Sequence, residues 1–350
     1  KNLNSKSNMN IQSERELERA EKENELLKKD KKIKALALSR KEAELKKQRV
    51  YLTSSIGFVA MVLFLAFVIY NRYRIKQKAN VMLAKKNKQI TDSINYAKRI
   101  QNAMLPPDAL VRDILPESFI FFKPRDIVSG DFYWFSKVDQ KIVIAAADCT
   151  GHGVPGAFMS MICTTLMNEI INEKQNTDPA AILNQLHAAV IDALKQNNPD
   201  AQSQDGMDMA LCCIDMQNKF IKYAGAMNPL YIVRNGSLDV IKADIKSIGG
   251  KTYRDHIETE RKFTNHQIPI HKGMTIYISS DGYLDQFGSE ERKKFGSQKF
   301  KQLLLDNSTL DMQKQKDALS KAISEWQASA DKPGKSCKQI DDMLVMGVRF

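Results

Sequence analysis

IVIAAADCTGHG, residues 142–153, places Asp148 directly behind an apolar run and directly ahead of a glycine-rich turn. The apolar run is typical of a buried strand. An aspartate at the end of a strand is commonly a turn former or a helix cap. A carboxylate that follows so many apolar residues is costly to bury without a cation or another partner. Asp148 is therefore the first candidate for a functional residue.

Three further aspartate motifs follow a similar pattern. They are SGD at residues 129–131, SSDGYLD at residues 279–285 and DDM at residues 341–343. Carboxylates that converge from different strands can hold hard cations such as Mg²⁺ or Mn²⁺, which prefer oxygen ligands. Two such ions about 3.5–4 Å apart activate a water and stabilise charge on a phosphoryl oxygen. Four motifs together, without the Cys and His spacing of a zinc site, favour a carboxylate metal centre over four unrelated turns.

Around these motifs the sequence predicts blocks of strands and blocks of helices. Strands are predicted at residues 119–123, 141–147, 207–215, 219–224, 230–233, 275–279 and 343–350. Helices are predicted at residues 156–173, 179–196, 295–306 and 311–327. Because the strands and helices do not alternate strictly, the pattern favours an α+β fold with antiparallel sheets over a doubly wound parallel sheet.

The first seventy residues predict two helical segments. Residues 1–50 are charged, and their imperfect heptads leave a solvated helix and a coiled coil equally open. Residues 51–70, YLTSSIGFVAMVLFLAFVIY, carry no charge and have basic residues on both sides. At about 1.5 Å per residue they match a hydrocarbon core of about 30 Å, which predicts a transmembrane helix.

Residues 71–107 form the connection to the region that holds the aspartates. Leu83, Ile90, Ala97 and Met104 lie seven residues apart, and the pattern stops at Pro106-Pro107. This predicts a coiled-coil linker helix through which the chain forms a homodimer. Two interpretations stay open, a regulatory helix that transmits a rearrangement and a passive stalk.

Charge and cysteine usage constrain the partners and the compartment. The formal net charge is +12, yet residues 1–100 carry 24 Lys or Arg against 10 Asp or Glu, whereas the remainder carries 29 against 31. A basic excess beside an apolar segment suits anionic lipid headgroups. The sequence contains no basic motif interleaved with aromatic residues, so we expect no nucleic-acid partner. The five cysteines form no CxxC pair, so we expect reduced thiols and a cytosolic globular region.

Five motifs occur in order: SGDFYWF (129–135), ADCTGHG (147–153), AGAMNP (224–229), SDGYLD (280–285) and DDMLV (341–345). In order and spacing they resemble the metal-dependent PPM phosphatases, specifically the bacterial SpoIIE-like branch. The resemblance implies that residues 108–350 form the phosphatase domain. It also implies an αββα sandwich with two central antiparallel sheets and a site for two Mn²⁺ or Mg²⁺ ions at one edge.

The resemblance also implies roles for individual residues. Asp148 is the carboxylate expected to bridge both ions, with the backbone carbonyl of Cys149 as a further ligand. Asp281 and Asp341 are the expected remaining ligands of one ion. Asp131 is expected beside the other ion, and it shares the catalytic role with Asp148.

Further positions are implied less directly. Asp285 matches a position associated with a third, looser metal ion, and Asp342 could share the role of Asp341. Three neighbouring residues are expected to hold the metal ligands in place without binding the ions themselves: Gly151, His152 and Gly282.

The motifs depart from the eukaryotic pattern at one position. Eukaryotic members carry His two residues after the bridging aspartate, whereas Thr150 stands there in this sequence. We therefore expect His152 to be a turn or supporting residue rather than a proton donor. Arg125 is a candidate for phosphate binding, and an exposed solubilising role is equally open. Asp208 is interpreted as a strand-end residue rather than a ligand.

The implied activity is hydrolysis of phosphoserine or phosphothreonine by metal-activated water, without a phosphoenzyme. The implied substrate is a cytosolic regulatory protein, such as an anti-sigma-factor antagonist. We expect residues 1–50 outside the inner membrane and the catalytic domain in the cytosol, with dimerisation through residues 71–105.

Two alternatives come from other functional classes. A catalytically weak pseudophosphatase or signalling scaffold would keep the fold without turnover. A two-metal nucleotide cyclase could also follow a transmembrane helix and a coiled coil, but the sequence contains no GGDEF-like motif.

Overall fold

The computed structural model describes residues 2–198, 200–201, 203–250, 262–288, 293–328 and 336–350, with side chains from Ser13 onward except that of Asp108. The chain divides into two compact units, Lys1–Asn87 and Lys88–Phe350.

The first unit consists of helix α1, which spans Asn2–Met104 and continues into the second unit. Its most apolar 18-residue window has a mean hydropathy of 2.5, and none of that window is buried. The helix is thus long and apolar enough to cross a membrane. Gly153–Glu173 passes the same test of length and composition, but half of its window is buried, as in a core helix.

The second unit contains the remaining helices and the strands. The helices are α2 (Asp108–Ile114), α3 (Gly153–Met167), α4 (Pro179–Ala193), α5 (Gly282–Asp285), α6 (Gly296–Asn307) and α7 (Met312–Gln327), and a π-helical segment at Asn168–Glu173 extends α3. The strands are β1 (Ser118–Lys123), β2 (Phe132–Val138), β3 (Lys141–Cys149), β4 (Gly206–Asp215), β5 (Phe220–Ala226), β6 (Leu230–Arg234), β7 (Ser237–Ile241), β8 (Ile248–Gly249), β9 (His266–Pro269), β10 (Thr275–Ser279) and β11 (Met343–Arg349).

These strands form two antiparallel sheets. One has the order β1-β11-β10-β6-β7, and the other has the order β2-β3-β4-β5-β9 with β8 beside β4. The α+β class and the two antiparallel sheets are confirmed.

The sheets pack face to face, and helices cover both outer faces. Ile144 of β3 belongs to the core between the sheets, together with Ile276 of β10 and Leu344 of β11. Ala145 points to the opposite face and packs with Leu183 of α4, because neighbouring side chains of a strand alternate between its faces. The other sheet packs on α6 and α7 through a third cluster. This layering is the expected αββα sandwich.

The sequence-based assignment missed four strands. β2 coincides with the SGDFYWF motif, for which no strand is predicted, and its residues Phe132–Phe135 are wholly buried. β7 and β9 are edge strands with partly exposed residues, and β8 is two residues long. None of these three carries the continuous apolar run that marks a strand buried on both faces.

Candidate metal centre

The aspartates of the four motifs come together because of strand pairing. Phe132 at the start of β2 is opposite Ala147 near the end of β3, so Asp131 and Asp148 lie at one edge of that sheet. Ser279 at the end of β10 is opposite Val345 near the start of β11, which places the two other motifs at one edge of the second sheet. The two edges face each other across the core.

A cleft of about 210 Å³ opens between these edges, room for several waters or ions since a water takes about 30 Å³. Its lining consists of Asp148, Cys149, Thr150, Gly151, His152, Met207, Asp208, Ser247, Asp281 and Asp341. Most of the predicted ligands and supporting residues are therefore in one place.

Asp131 lies beside this cleft and is almost completely buried, with 2% of its surface exposed. Its Oδ2 atom has no hydrogen-bond partner in the described part of the chain. Burial raises the pKa of Asp131 well above its ordinary value, a hydrogen bond with Ser280 opposes the rise, and nearby carboxylates reinforce it. A buried oxygen without a partner is costly unless something else binds it.

Asp148 is a strongly perturbed carboxyl group that faces the cleft. Burial, followed by the charges of Asp131, Asp281 and Asp341, raises the pKa of Asp148 to about 10. A hydrogen bond joins its side chain to that of Asp281. At neutral pH the carboxyl group keeps its proton unless positive charge enters the cluster.

The donor set fits a hard divalent cation. The side chains offer carboxylate oxygens, and one of them, Asp131 Oδ2, is buried without a hydrogen-bond partner among the described residues. The carboxylates repel one another, and a bound cation would reduce that repulsion. Among the described residues, no group of three or more His, Cys, Asp or Glu side chains is placed to hold one metal ion, so an ion here would also need water or backbone oxygens as ligands. An open arrangement suits Mg²⁺ and Mn²⁺, which keep several water ligands.

The turn after β3 depends on glycines. Gly151 has a φ of +83°, which L side chains rarely adopt. A Cβ atom at Gly130 would collide with the carbonyl oxygen of Gly151 and would crowd that of Cys149. The turn that carries Cys149 and the loop that carries Asp131 therefore touch through their backbones.

The two adjacent aspartates before β11 have different surroundings. Asp341 lines the cleft. Asp342 is buried, and its Oδ1 and Oδ2 atoms accept hydrogen bonds from the backbone N–H groups of Arg125 and Gly130, both at 2.7 Å. Its oxygens thus hold the loop before Asp131. A Cβ atom at Gly282 would collide with the carbonyl oxygen of Asp342, so this junction requires a glycine.

Arg125 and His152 lie near Asp341. Burial raises the pKa of Asp341, while the charges of His152 and Arg125 partly oppose the rise. His152 Nδ1 lies 3.0 Å from Asp126 Oδ2, and Arg125 Nη1 donates to the carbonyl of Ile340 at 2.7 Å. Arg125 is exposed and is not part of the cleft lining.

Asp285 and Asp208 differ in their relation to the cleft. Asp285 forms an ion pair with Lys294 at 2.6 Å, outside the lining of the cleft. Asp208, interpreted as a strand-end residue, is opposite Asp148 in the β3–β4 register and lines the cleft. Burial raises its pKa, and its side chain bonds to Ser247. Only the pairing of β4 with β3 could have indicated this position, and no sequence signal marked Ser247.

Comparisons with known proteins agree on one family. The model of the family Stage II sporulation protein E (SpoIIE) matches residues 138–350. The SiaA-PP2C domain of Pseudomonas aeruginosa is 33% identical with a TM-score of 0.66, and the match covers 75% of this chain and 98% of that domain. No curated protein sequence matches the chain.

Two more distant structures share the fold. One contains the PP2C phosphatase domain and a fragment of the regulatory domain of SpoIIE from Bacillus subtilis, at 19% identity, a TM-score of 0.53, and coverage of 67% of this chain and 63% of that one. The other contains the RsbU and RsbW domains of a Mycobacterium tuberculosis protein, at 16% identity, a TM-score of 0.50, and coverage of 67% and 60%.

Proposed function

The chain belongs to the SpoIIE family of PPM-type serine/threonine phosphatases, and we propose that it is a divalent-metal-dependent, membrane-anchored member that dephosphorylates a cytosolic protein. The observation that carries the metal requirement is the cluster around Asp148, whose pKa of about 10 reflects burial among three other carboxylates. A carboxyl group with such a pKa keeps its proton at neutral pH unless positive charge is added.

Five groups would hold the ions: the carboxylates of Asp131, Asp148, Asp281 and Asp341, and the backbone carbonyl of Cys149. When bound, Mn²⁺ or Mg²⁺ would lower the pKa of a water and neutralise charge on the phosphoryl group. No thiolate is required, since burial raises the pKa of Cys149 well above its ordinary value.

Arg125 and His152, which lie near Asp341, would orient the substrate and support the site. Arg125 Nη1 donates a hydrogen bond to the carbonyl oxygen of Ile340. A guanidinium group has five N–H donors, so the remaining donors of Arg125 are available for phosphate oxygens. His152, whose ring is held by Asp126, would support the cleft wall. Asp285 and Asp342 are not needed as ligands in this proposal, because each already binds other groups.

The location of the protein is proposed from its first hundred residues. The apolar part of α1 would cross the inner membrane once, with residues 1–50 outside and the phosphatase domain in the cytosol. The basic residues that flank it would bind anionic headgroups. Residues 71–105 would form a homodimeric coiled coil that sets activity, and the substrate would be a phosphorylated regulatory protein of the anti-sigma-factor antagonist class.

Phosphatase assays on the full-length chain in detergent micelles test the proposal. We expect hydrolysis of p-nitrophenyl phosphate and of phosphoserine and phosphothreonine peptides with Mn²⁺ or Mg²⁺, and none with EDTA. Asp148→Asn should lose at least 100-fold in turnover, in line with the effect of removing a group that holds transition-state charge. Asp113→Asn, at an exposed position in α2, is the matched control and should retain activity.

Two results would contradict this function. Turnover that persists in EDTA would exclude the metal requirement. Metal binding by a folded chain with no turnover on any phosphopeptide would instead favour a pseudophosphatase that binds its partner without hydrolysis.

A further inference from the structure

Gln286 follows α5 directly, and its surface is completely buried. A primary amide is costly to bury unless its donors and its acceptor find partners. Nε2 of Gln286 donates to the carbonyl oxygens of Phe287 at 3.0 Å and Lys338 at 3.1 Å, and Oε1 accepts from the N–H group of Ile340 at 3.2 Å. The amide therefore binds the backbone of residues 338–340 in two places.

The backbone of Gln286 is fixed independently of its amide. Its carbonyl oxygen accepts hydrogen bonds from the N–H group of Phe295 at 2.9 Å and from Trp326 Nε1 at 3.0 Å. The ring of Trp326 packs edge-on against that of Phe295, with 5.6 Å between the centroids. Because Phe295 immediately precedes α6 and Trp326 belongs to α7, Gln286 is anchored to the outer helical layer while its amide holds the segment before β11.

The two segments that the amide joins each carry a proposed ligand of the same ion. Asp281 lies five residues before Gln286, and Asp341 directly follows the bonded segment. Both aspartates line the cleft. The register between β10 and β11 ends where Ser279 is opposite Val345, so both aspartates lie beyond the strand ladder. Contacts other than strand pairing must therefore hold the two ligands at their distance from each other.

We infer that Gln286 is a positioning residue, which sets the distance between the Asp281 and Asp341 carboxylates and so controls affinity for the ion that both would bind. The inference rests on the proposed function. A small cation such as Mg²⁺ demands near-ideal geometry at 2.0–2.1 Å, so a small displacement of one carboxylate weakens binding. The two carboxylates repel each other, and a neutral amide holds their segments together without adding charge.

Metal-binding measurements on the 350-residue chain in detergent micelles test this inference. Gln286→Met keeps the length of the side chain and removes its hydrogen bonds to residues 338–340. We expect its Mn²⁺ dissociation constant, measured by calorimetry, to rise about 10-fold, at the low end of the effect of losing a group that orients a ligand, because Gln286 acts through the backbone. Saturating Mn²⁺ should restore turnover to within a few-fold of the unmodified chain.

Two control variants separate positioning from packing. Trp326→Phe removes the hydrogen bond to the carbonyl oxygen of Gln286 but leaves the amide bonds in place. It should lower the denaturant midpoint in EDTA, yet change the Mn²⁺ dissociation constant less than threefold. Gln302→Met changes an exposed glutamine of α6 and should leave Mn²⁺ affinity unchanged. If Gln286→Met fails to fold, Gln286→Asn takes its place, because it keeps an amide that is one methylene too short to reach Lys338 and Ile340.

A Gln286 variant that folds and binds Mn²⁺ within twofold of the unmodified chain would overturn the inference. An equal loss of affinity in Trp326→Phe would also overturn it, since general packing would then account for the effect. Both outcomes would leave the proposed function intact. An unmodified chain that binds no Mn²⁺ would instead remove the proposed function, and the inference with it.

Discussion

Asp341 and Asp342 show how adjacent, chemically identical residues acquire different tasks. Asp341 faces the cleft among other carboxylates, where its charge is repelled. Asp342 accepts two backbone hydrogen bonds at 2.7 Å and so stabilises a loop. Asp341 is thus the proposed metal ligand, and Asp342 stabilises the fold itself.

Substitution with asparagine should separate the two tasks. In the Asp342→Asn variant the side-chain oxygen can accept a hydrogen bond from only one of the two backbone N–H groups. The new NH₂ group is itself a donor and would face the other N–H group. We expect the free energy of unfolding in EDTA to fall by about 1–3 kcal/mol, the cost of an unsatisfied buried donor. Asp341→Asn should unfold no more easily than the unmodified chain in EDTA, but should lose Mn²⁺-induced stabilisation. Denaturant unfolding with and without Mn²⁺ measures both, and equal destabilisation by the two variants would contradict the distinction.

At this scale the sequence predicted the residues whose environment is set locally. Asp148 could be identified because an apolar run precedes it directly. Asp208 could not, since its place in the cleft depends on the register between β4 and β3. Gln101 could not be identified either, because it looks like any other polar residue of a charged helix; it is buried, and it donates to Ser129 and Ser160, which are 28 and 59 residues away.

Among the elements, α4 depends on the residue that caps its N-terminus, Asp178, for more than capping. Asp178 accepts hydrogen bonds from the N–H group of Ala181 at 3.1 Å, from Asn265 Nδ2 at 2.7 Å and from Lys222 Nζ at 3.2 Å. Burial tends to raise the pKa of Asp178, but these bonds outweigh it and lower the pKa below the ordinary value. The carboxylate therefore ties α4 to β5 and to the segment before β9.

Asp178→Ala should lower the free energy of unfolding by about 1 kcal/mol at neutral pH, as for other lost caps. A lowered pKa stabilises the fold above the ordinary pKa, and this contribution is lost as the pH falls through the lowered value. The difference between variant and unmodified chain should therefore shrink in acid. Thermal unfolding between neutral and acidic pH measures it, with Asp192→Ala, exposed in the same helix, as the control. A difference independent of pH would show that the charge of Asp178 contributes nothing.

Elements buried on both faces were predicted best. β3 and β10 have largely apolar sequences, because each strand lies between the opposite sheet and a layer of helices. β7, by contrast, is half-exposed along most of its length and was missed. The position of β7 is determined by its pairing with β6, and the local sequence pattern does not indicate that pairing.

For the molecule as a whole, the phosphatase unit has its own core and should not need the segment before it to fold. The α+β class was predictable from the blocks of strands and helices. The assignment of β1 and β11 as neighbours was not, because these strands are separated by nearly the whole unit.

Removing residues 1–95 tests the proposed role of the N-terminal helix. The deletion removes exposed apolar residues of the predicted seam, including Leu83 and Ile90. We expect the shortened protein to be soluble without detergent and monomeric by sedimentation, with a turnover rate that differs from that of the 350-residue chain because the proposed regulatory helix is gone. Unchanged self-association together with unchanged turnover would contradict the proposed dimeric, regulatory helix.

The position of β11 has a consequence for biosynthesis. It is the last of the described strands to leave the ribosome, yet it lies between β1 and β10 inside its sheet, and Asp341 and Asp342 immediately precede it. If α1 enters a bilayer as proposed, we expect it to do so long before this sheet can close, since pairing of distant segments comes late. We expect a partly synthesised copy that lacks β11 to have no phosphatase activity.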